Sequence, residues 1–371
     1  MAMDENLVFG RRKFLGAAAS MAAANAAQGR DSSTTDHDRK PELFPGSVVE
    51  AGSVRVGHFT DSRRPTGCTV VLFDGGGAVA GVDVRGSAPG TREADLLNPI
   101  NTVQRVNAIL LSGGSAFGLN AAAGVMQYLE EHGQGYRVGG SVVPIVPAAI
   151  LFDLNVGDGK IRPDRQSGYS ACQAASDSHV AQGNVGAGAG ATVGKLFGAK
   201  NAMKSGLGTA SVRVGPELIV GAIVAVNAVG DVRDYRTGKI LAGARMPDNS
   251  GCSDSMARIL KGDTLDRSEA RPGAHTTIGI VVTNATLTKA EAAKIAQMAH
   301  DGLARTINPV HTGADGDTVF AAATGTANIR SDITTIGSVG AEVMARAINN
   351  AVLSATGIPG YPAWRDLADR P

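Results

Sequence analysis

The chain has 371 residues, room for one large or two ordinary domains with a sizeable core. It holds 49 Gly and only 4% aromatics, so it packs through small residues and close backbone approaches rather than large rings. A count of 35 basic against 34 acidic residues, with no basic stripe in the body, excludes neither catalysis nor binding but argues against nucleic acid and against a membrane-surface role.

The N-terminus reads as an address rather than as fold. Arg11, Arg12 and Lys13 precede a short run of small apolar residues over 17–27, the pattern of a twin-arginine export signal covering residues 1–26. The run is shorter than the about 20 residues a membrane span needs. The other reading is a cytosolic Ala-rich helix with two chance arginines. Residues 27–46 are expected to form a disordered leader, polar and charged over most of their length. Export by this route implies a periplasmic protein, with no membrane partner after export. Cys68, Cys172 and Cys252 are odd in number and widely spaced, which fits neither a disulfide framework nor a zinc site; all three are expected as small core residues. No His/Cys/carboxylate cluster has metal spacing, the seven histidines are scattered, and no cofactor is expected.

Short Val-rich stretches bounded by Gly or Pro predict strands at 53–56, 67–73, 78–84 and 108–111. A helix follows over 115–131, with Ala116, Leu119, Ala122, Ala123, Met126 and Leu129 on one face and Gly133 at its end. Residues 142–154 read as part strand and part loop, 170–180 as helix, 183–190 as a Gly/Ala loop, and 218–226 as a strongly apolar strand. A helix at 253–261 leads into a charged linker over 262–275. Then come a strand at Thr276–Thr283, a helix at 287–304, a strand at Thr318–Ala323 and a long helix at 336–355. Strands and helices mix without strict alternation, which predicts an α+β fold of two face-to-face sheets with helices outside, a single domain over 47–371.

Several residues carry chemistry. Thr276 stands where a linker runs into a buried β-branched strand, the place where a chain that cuts itself would expose a new N-terminus. Cleavage after His275 would set an α-amine of pKa roughly 8 beside its own Oγ, an activated nucleophile pair. Thr276 and Thr277 also read as ordinary strand threonines. Asp315-Gly316-Asp317 puts two carboxylates at a strand entry, either as a proton-handling pair or as a plain turn. Asn227 closes an apolar strand, as an oxyanion donor or as a turn cap. Lys195 follows the Gly loop, either neutralising developing charge or simply solvated. That loop lacks the Walker order, since Leu196 follows Lys195, so it is a weak phosphate signal. The turn through Ser112, Gly113, Gly114 and Ser115 offers backbone N–H groups to a substrate, or caps a helix through Ser115.

Six co-linear segments carry a resemblance: residues 111–119, 146–154 and 186–195, Asn227 after its Val-rich strand, residues 276–283, and Asp315-Gly316-Asp317-Thr318-Val319-Phe320. Together they resemble the DmpA-like family of self-processing N-terminal-nucleophile hydrolases, which includes L-aminopeptidase/D-amidase-esterases, β-peptidyl aminopeptidases and nylon-oligomer endo-hydrolases. The match covers about residues 47–360. It implies a four-layer αββα sandwich of the DmpA/ornithine-acetyltransferase type, cut into an α chain ending at His275 and a β chain starting at Thr276, with αβ units assembling into homo-oligomers. It implies hydrolysis of small peptides or amides through an acyl-enzyme on Thr276, with Asp315 and Asp317 as partners of the nucleophile. Nylon-oligomer endo-action is an alternative, which the two acids favour over the Ser and Glu of β-peptidases. Acyl transfer and a non-catalytic periplasmic binder are further alternatives. Two positions depart from the pattern. His275 replaces the usual Asn or Gly, which bears on the rate of self-cleavage. Phe152 falls where some members place a Tyr, so it shapes the substrate pocket without a hydroxyl.

Overall fold

The protein is described by a computed structural model covering residues 41–266, 273, 275–330 and 332–368. The export signal (1–26), the leader up to residue 40 and most of the linker at 267–274 lie outside the described residues. In chain order the main elements are β1 (Val54–Thr60), β2 (Gly67–Phe73), β3 (Ala78–Val84), β4 (Thr91–Arg92), β5 (Arg105–Val106), β6 (Ala108–Ser112) and α1 (Ala121–Glu131). They continue with β7 (Ala148–Ile150), α2 (Arg165–Gln173), β8 (Leu207–Val214), β9 (Leu218–Asn227), β10 (Thr276–Thr283), α3 (Lys289–Thr306), β11 (Thr318–Ala323) and α4 (Ile333–Leu353).

One sheet runs β1-β2-β6-β7-β4 and the other β8-β9-β10-β11-β3-β5. Side chains alternate across each strand, and this decides what every face buries. In the second sheet, Ile223, Ile278, Ile280, Val282 and Phe320 join Val71, Phe73, Ile109 and Leu111 of the first sheet in a core between the two. The intervening residues Val220, Val224, Val281 and Val319 turn outward against α3 and α4, where Ile295, Leu303, Val343 and Ile348 meet them. Val70, Leu72 and Leu110 of the first sheet pack on Ala122, Val125 and Leu129 of α1 and on Ala171 of α2. These are the four layers of the αββα sandwich that the sequence predicts. Burial on both faces also explains why β9 reads as an unbroken apolar run.

Register sets up the site. Strand β10 pairs antiparallel with β9, so that Thr276 lies opposite Asn227. It pairs parallel with β11 from Ile278↔Thr318 onward. The same offset extends past the strand ends to a bridge between His275 and Asp315. Thr276 is thus held between Asn227 on one side and the Asp-Gly-Asp segment on the other.

Some boundaries differ from expectation for local reasons. The helix expected at 170–180 lies at Arg165–Gln173, because Asp164 and Ser167 form a reciprocal capping box that starts it earlier. The helix expected from Ser115 opens with a 3-10 stretch, Ser115–Asn120, and becomes α-helical only at Ala121. Strand β8 was not anticipated. The end of the expected disordered leader is ordered: Asn350 both donates to and accepts from the Phe44 backbone, at 2.9 and 2.8 Å, and the Phe44 ring lies tilted against Tyr235, centroids 5.5 Å apart. Cys68 and Cys172 are buried, but Cys252 is only half-buried, lying against the Met203 sulfur.

Candidate active site

Thr276 is the first residue of β10 and is 2% exposed. Its Oγ donates to the carbonyl of His275, the residue before it. That carbonyl also accepts the Gly316 N–H, at 2.9 Å. A side chain at position 316 would not fit: its Cβ would stand 2.5 Å from the Ala88 carbonyl and 2.8 Å from Thr276 Oγ. Glycine there is what lets the backbone reach the threonine.

On the other flank, Asn227 is fully buried and bonded on every side but one. Directly opposite residues of an antiparallel pair share a face, so its amide lies on the side of Thr276. Its Oδ1 accepts from Lys195 Nζ at 2.9 Å and from the Thr192 N–H at 3.1 Å. Lys195 Nζ also donates to the Asn227 carbonyl, at 3.2 Å. These donors fix the amide orientation, so its nitrogen faces the Phe152 carbonyl, to which it donates at 2.9 Å. The other N–H of that nitrogen has no partner among the described residues. Asn227 is therefore no turn cap, and Lys195, 5% exposed, is no solvated loop lysine.

The two carboxylates have different surroundings. Asp317 accepts from the Thr277 N–H at 2.7 Å and, through its other oxygen, from His311 Nδ1 at 2.7 Å. Asp315 accepts from Thr312, from N at 2.9 Å and from Oγ at 2.6 Å, all on one oxygen. Its Oδ1 is buried without a hydrogen-bond partner among the described residues. Burial and, second, the Asp317 charge push the Asp315 carboxyl up to about 6, against the pull of Thr312 and Lys195. Neither carboxylate bonds the Thr276 hydroxyl, which is turned to the His275 carbonyl instead.

Residues 47–364, the stretch that carries both sheets and every residue above, match the sequence profile of Peptidase family S58. The chain belongs to this family. It is similar to an uncharacterized aminopeptidase of Mycobacterium leprae, 43% identical over 352 residues that cover 86% of this chain and 93% of the relative. A 6-aminohexanoate-oligomer endohydrolase of Kocuria sp. is 32% identical over 327 residues, 83% of this chain and 84% of that protein. In fold alone, the chain resembles the L-aminopeptidase D-Ala-esterase/amidase of Ochrobactrum anthropi, described as a variant of the Ntn-hydrolase fold, at a TM-score of 0.60 and 18% identity, covering 88% and 92% of the two chains. The S58 family is the DmpA-like family that the six segments resemble, and the protein is a hydrolase of its aminopeptidase and amidohydrolase class.

In this S58 peptidase the remaining expected residues take roles through the backbone. Phe152 contributes its carbonyl to Asn227, while its ring is half-buried. The N–H groups of Gly114 and Ser115 are not open to a substrate. The first donates to Asp153 Oδ1 at 2.9 Å and the second to the Leu151 carbonyl at 3.0 Å. Ser115 itself sits at φ 55 and caps no helix through its side chain. What secures that turn is a buried ion pair that sequence reading missed. Arg64 bonds Asp153 Oδ1, and Thr66 donates to its Oδ2 at 2.6 Å. Lys204 was missed too. Fully buried, it donates to the carbonyls of Gly188, Ala191 and Ser205 and so closes the Gly loop from below; burial brings its amine down to about 7. His311 had a local signal, four residues ahead of the acid pair.

Proposed function

We propose that this S58 peptidase is a periplasmic, self-processing aminopeptidase whose nucleophile is Thr276 Oγ, freed at the chain end by cleavage of the His275–Thr276 bond. The observation that carries this reading is the seat of Thr276: a hydroxyl against the carbonyl before it, with a backbone N–H donor on that carbonyl and an oriented amide opposite.

In self-cleavage, Oγ attacks the His275 carbonyl carbon. The C–N bond to Thr276 breaks, an ester forms, and water hydrolyses it to a His275 carboxylate and a free Thr276 amine. The Gly316 N–H meets the oxygen on which charge develops. In turnover, Oγ attacks a substrate amide and its proton passes to the α-amine. The spare N–H of Asn227, with the Lys195 charge behind it, is the proposed oxyanion donor. The proton goes on to the departing amine, and water resolves the acyl-enzyme. The bare Asp315 Oδ1 suits an ammonium, that of Thr276 or of a substrate. Substrates are small peptides or amino acid amides. Likeness to the Kocuria endohydrolase supports oligoamide endo-cleavage as a second reading. The αβ units are proposed to assemble as a homo-oligomer.

Intact mass and N-terminal sequencing of protein purified from the periplasm test this. We expect a second N-terminus at Thr276 in the parent, and a single inactive chain in Thr276→Ala. Activity in the uncut Thr276→Ala protein would remove the mechanism. Amino acid p-nitroanilides, β-alanyl dipeptides and 6-aminohexanoate oligomers, assayed side by side, separate exo- from endo-action.

A further inference from the structure

Behind the acid pair lies a second layer of imidazoles that the proposed chemistry does not use. His311 donates from Nδ1 to Asp317 at 2.7 Å, and its own N–H points to the same carboxylate oxygen at 3.3 Å. The proton sits on Nδ1, because a carboxylate only accepts. The ring's Nε2 is buried with no hydrogen-bond partner among the described residues. The backbone at His311 is left-handed, φ 53, a conformation unfavourable for a residue with a Cβ. His300 of α3 meets the His311 ring edge-on, with centroids 4.8 Å apart. His300 is held in turn by Nε2, which donates to the Asp83 carbonyl at 3.0 Å and stands 3.5 Å from the Asp83 carboxylate. Burial keeps His300 uncharged, its imidazole down at about 4. A chain of contacts, half-buried at Asp83 and His311 and buried at His300 and Asp317, thus runs from Asp83 through His300 and His311 to Asp317, and from Asp317 to the Thr277 N–H beside the nucleophile.

We infer that His311 is a positioning residue: it holds the Asp317 carboxylate on the Thr277 amide, and thereby leaves Asp315 as the member of the pair that takes and releases the proton. This deepens the Thr276 reading and rests on it. Asp317 is saturated from two sides, whereas Asp315 keeps one bare oxygen. The fixed imidazole N–H is what makes the two acids unequal. Among the described residues, other charged or titratable groups near the pair are Lys195, whose charge acts on Asp315, His275, across the bridge from it, and Arg85, whose N–H donates to the Asp317 carbonyl and whose side chain pairs with Asp83.

The test compares His311→Gly with His311→Asn. Glycine accepts the left-handed backbone and deletes the ring; asparagine accepts it too and keeps an N–H donor near the Nδ1 position. The readout is kcat and KM against pH, on the amino acid p-nitroanilide that the parent turns over fastest. For H311G we expect kcat to fall about 10- to 100-fold, the loss of one hydrogen bond to a charged group, with KM nearly unchanged. The acidic limb of its profile should move up by about one pH unit, since the pair's negative charge has lost its imidazole donor. H311N should keep the parent's limb and most of its kcat, and added imidazole should partly restore H311G. Should H311G be purified only partly cut, the same comparison is read on the rate of self-cleavage against pH. An unmoved limb in H311G, or equal losses in H311G and H311N, overturns the proposal. The Thr276→Ala protein is assayed in parallel, so failure of the nucleophile reading shows there and not in the His311 pair.

Discussion

Asp315 is a carboxylate buried at the expense of the fold. Its folded pKa, about 6, lies above the roughly 3.9 of an unfolded aspartate. The sign follows: with the folded value raised, its contribution to stability is full below about pH 4 and is lost as pH rises through about 6. In the uncut Thr276→Ala background, Asp315→Asn is therefore expected to stabilise at pH 7 by on the order of 2 kcal/mol, measured by urea denaturation. At pH 4 that gain should vanish; an equal gain at both pH values contradicts the assignment. In the parent, activity that requires ionised Asp315 should fall as pH drops through about 6. Neighbouring Asp317 has both oxygens occupied, one by the Thr277 N–H and the other by His311. The sequence shows two acids flanking a glycine; their inequality depends on Thr312 and His311 and cannot be read from the triplet.

The strands that make the site were legible for a physical reason. A strand buried on both faces must be apolar throughout, and β9 and β10 announce themselves in that way. Thr276, Asn227 and the acid pair were legible because each borders such a run, and Lys195 because it follows the Gly loop. The supports were not. Arg64 and Asp153 are far apart in the chain, and nothing in either local sequence specifies the other. Lys204 looks like any lysine until three carbonyls surround it. Strand β8 hides behind its small and polar residues, and α2 was shifted because its start is set by a cap rather than by apolar spacing. The Arg64–Asp153 pair joins the β1–β2 connection to the Gly113-Gly114 turn and to the segment after Phe152. Breaking a buried pair by removing one partner typically costs about 3–5 kcal/mol. Arg64→Met is expected to lose that much in chemical denaturation, and to lower kcat because the Phe152 carbonyl that braces Asn227 shifts. Full activity with that stability loss would confine Arg64 to folding.

Cutting the chain before β10 would divide the second sheet between two polypeptides. β9 would belong to one and β10, β11, α3 and α4 to the other. Eight register pairs join β9 to β10, and α4 packs across both. The halves have no separate cores to retreat to. We expect processed protein to elute as one species in native size-exclusion chromatography and to separate only in denaturant. Two peaks under native conditions would contradict this architecture.

The constant spacing of 40 residues between partners on β10 and β11 has an evolutionary corollary. Parallel neighbours are joined by a crossover, and the length of that crossover is immaterial to which residues end up abreast. Insertions at the outer end of α3 should thus be tolerated among relatives. A single added or deleted residue between the cradle at Thr312 and the entry to β11 is another matter. It would rotate the acids past one another and drive a side chain into the threonine, silencing the enzyme without unfolding it.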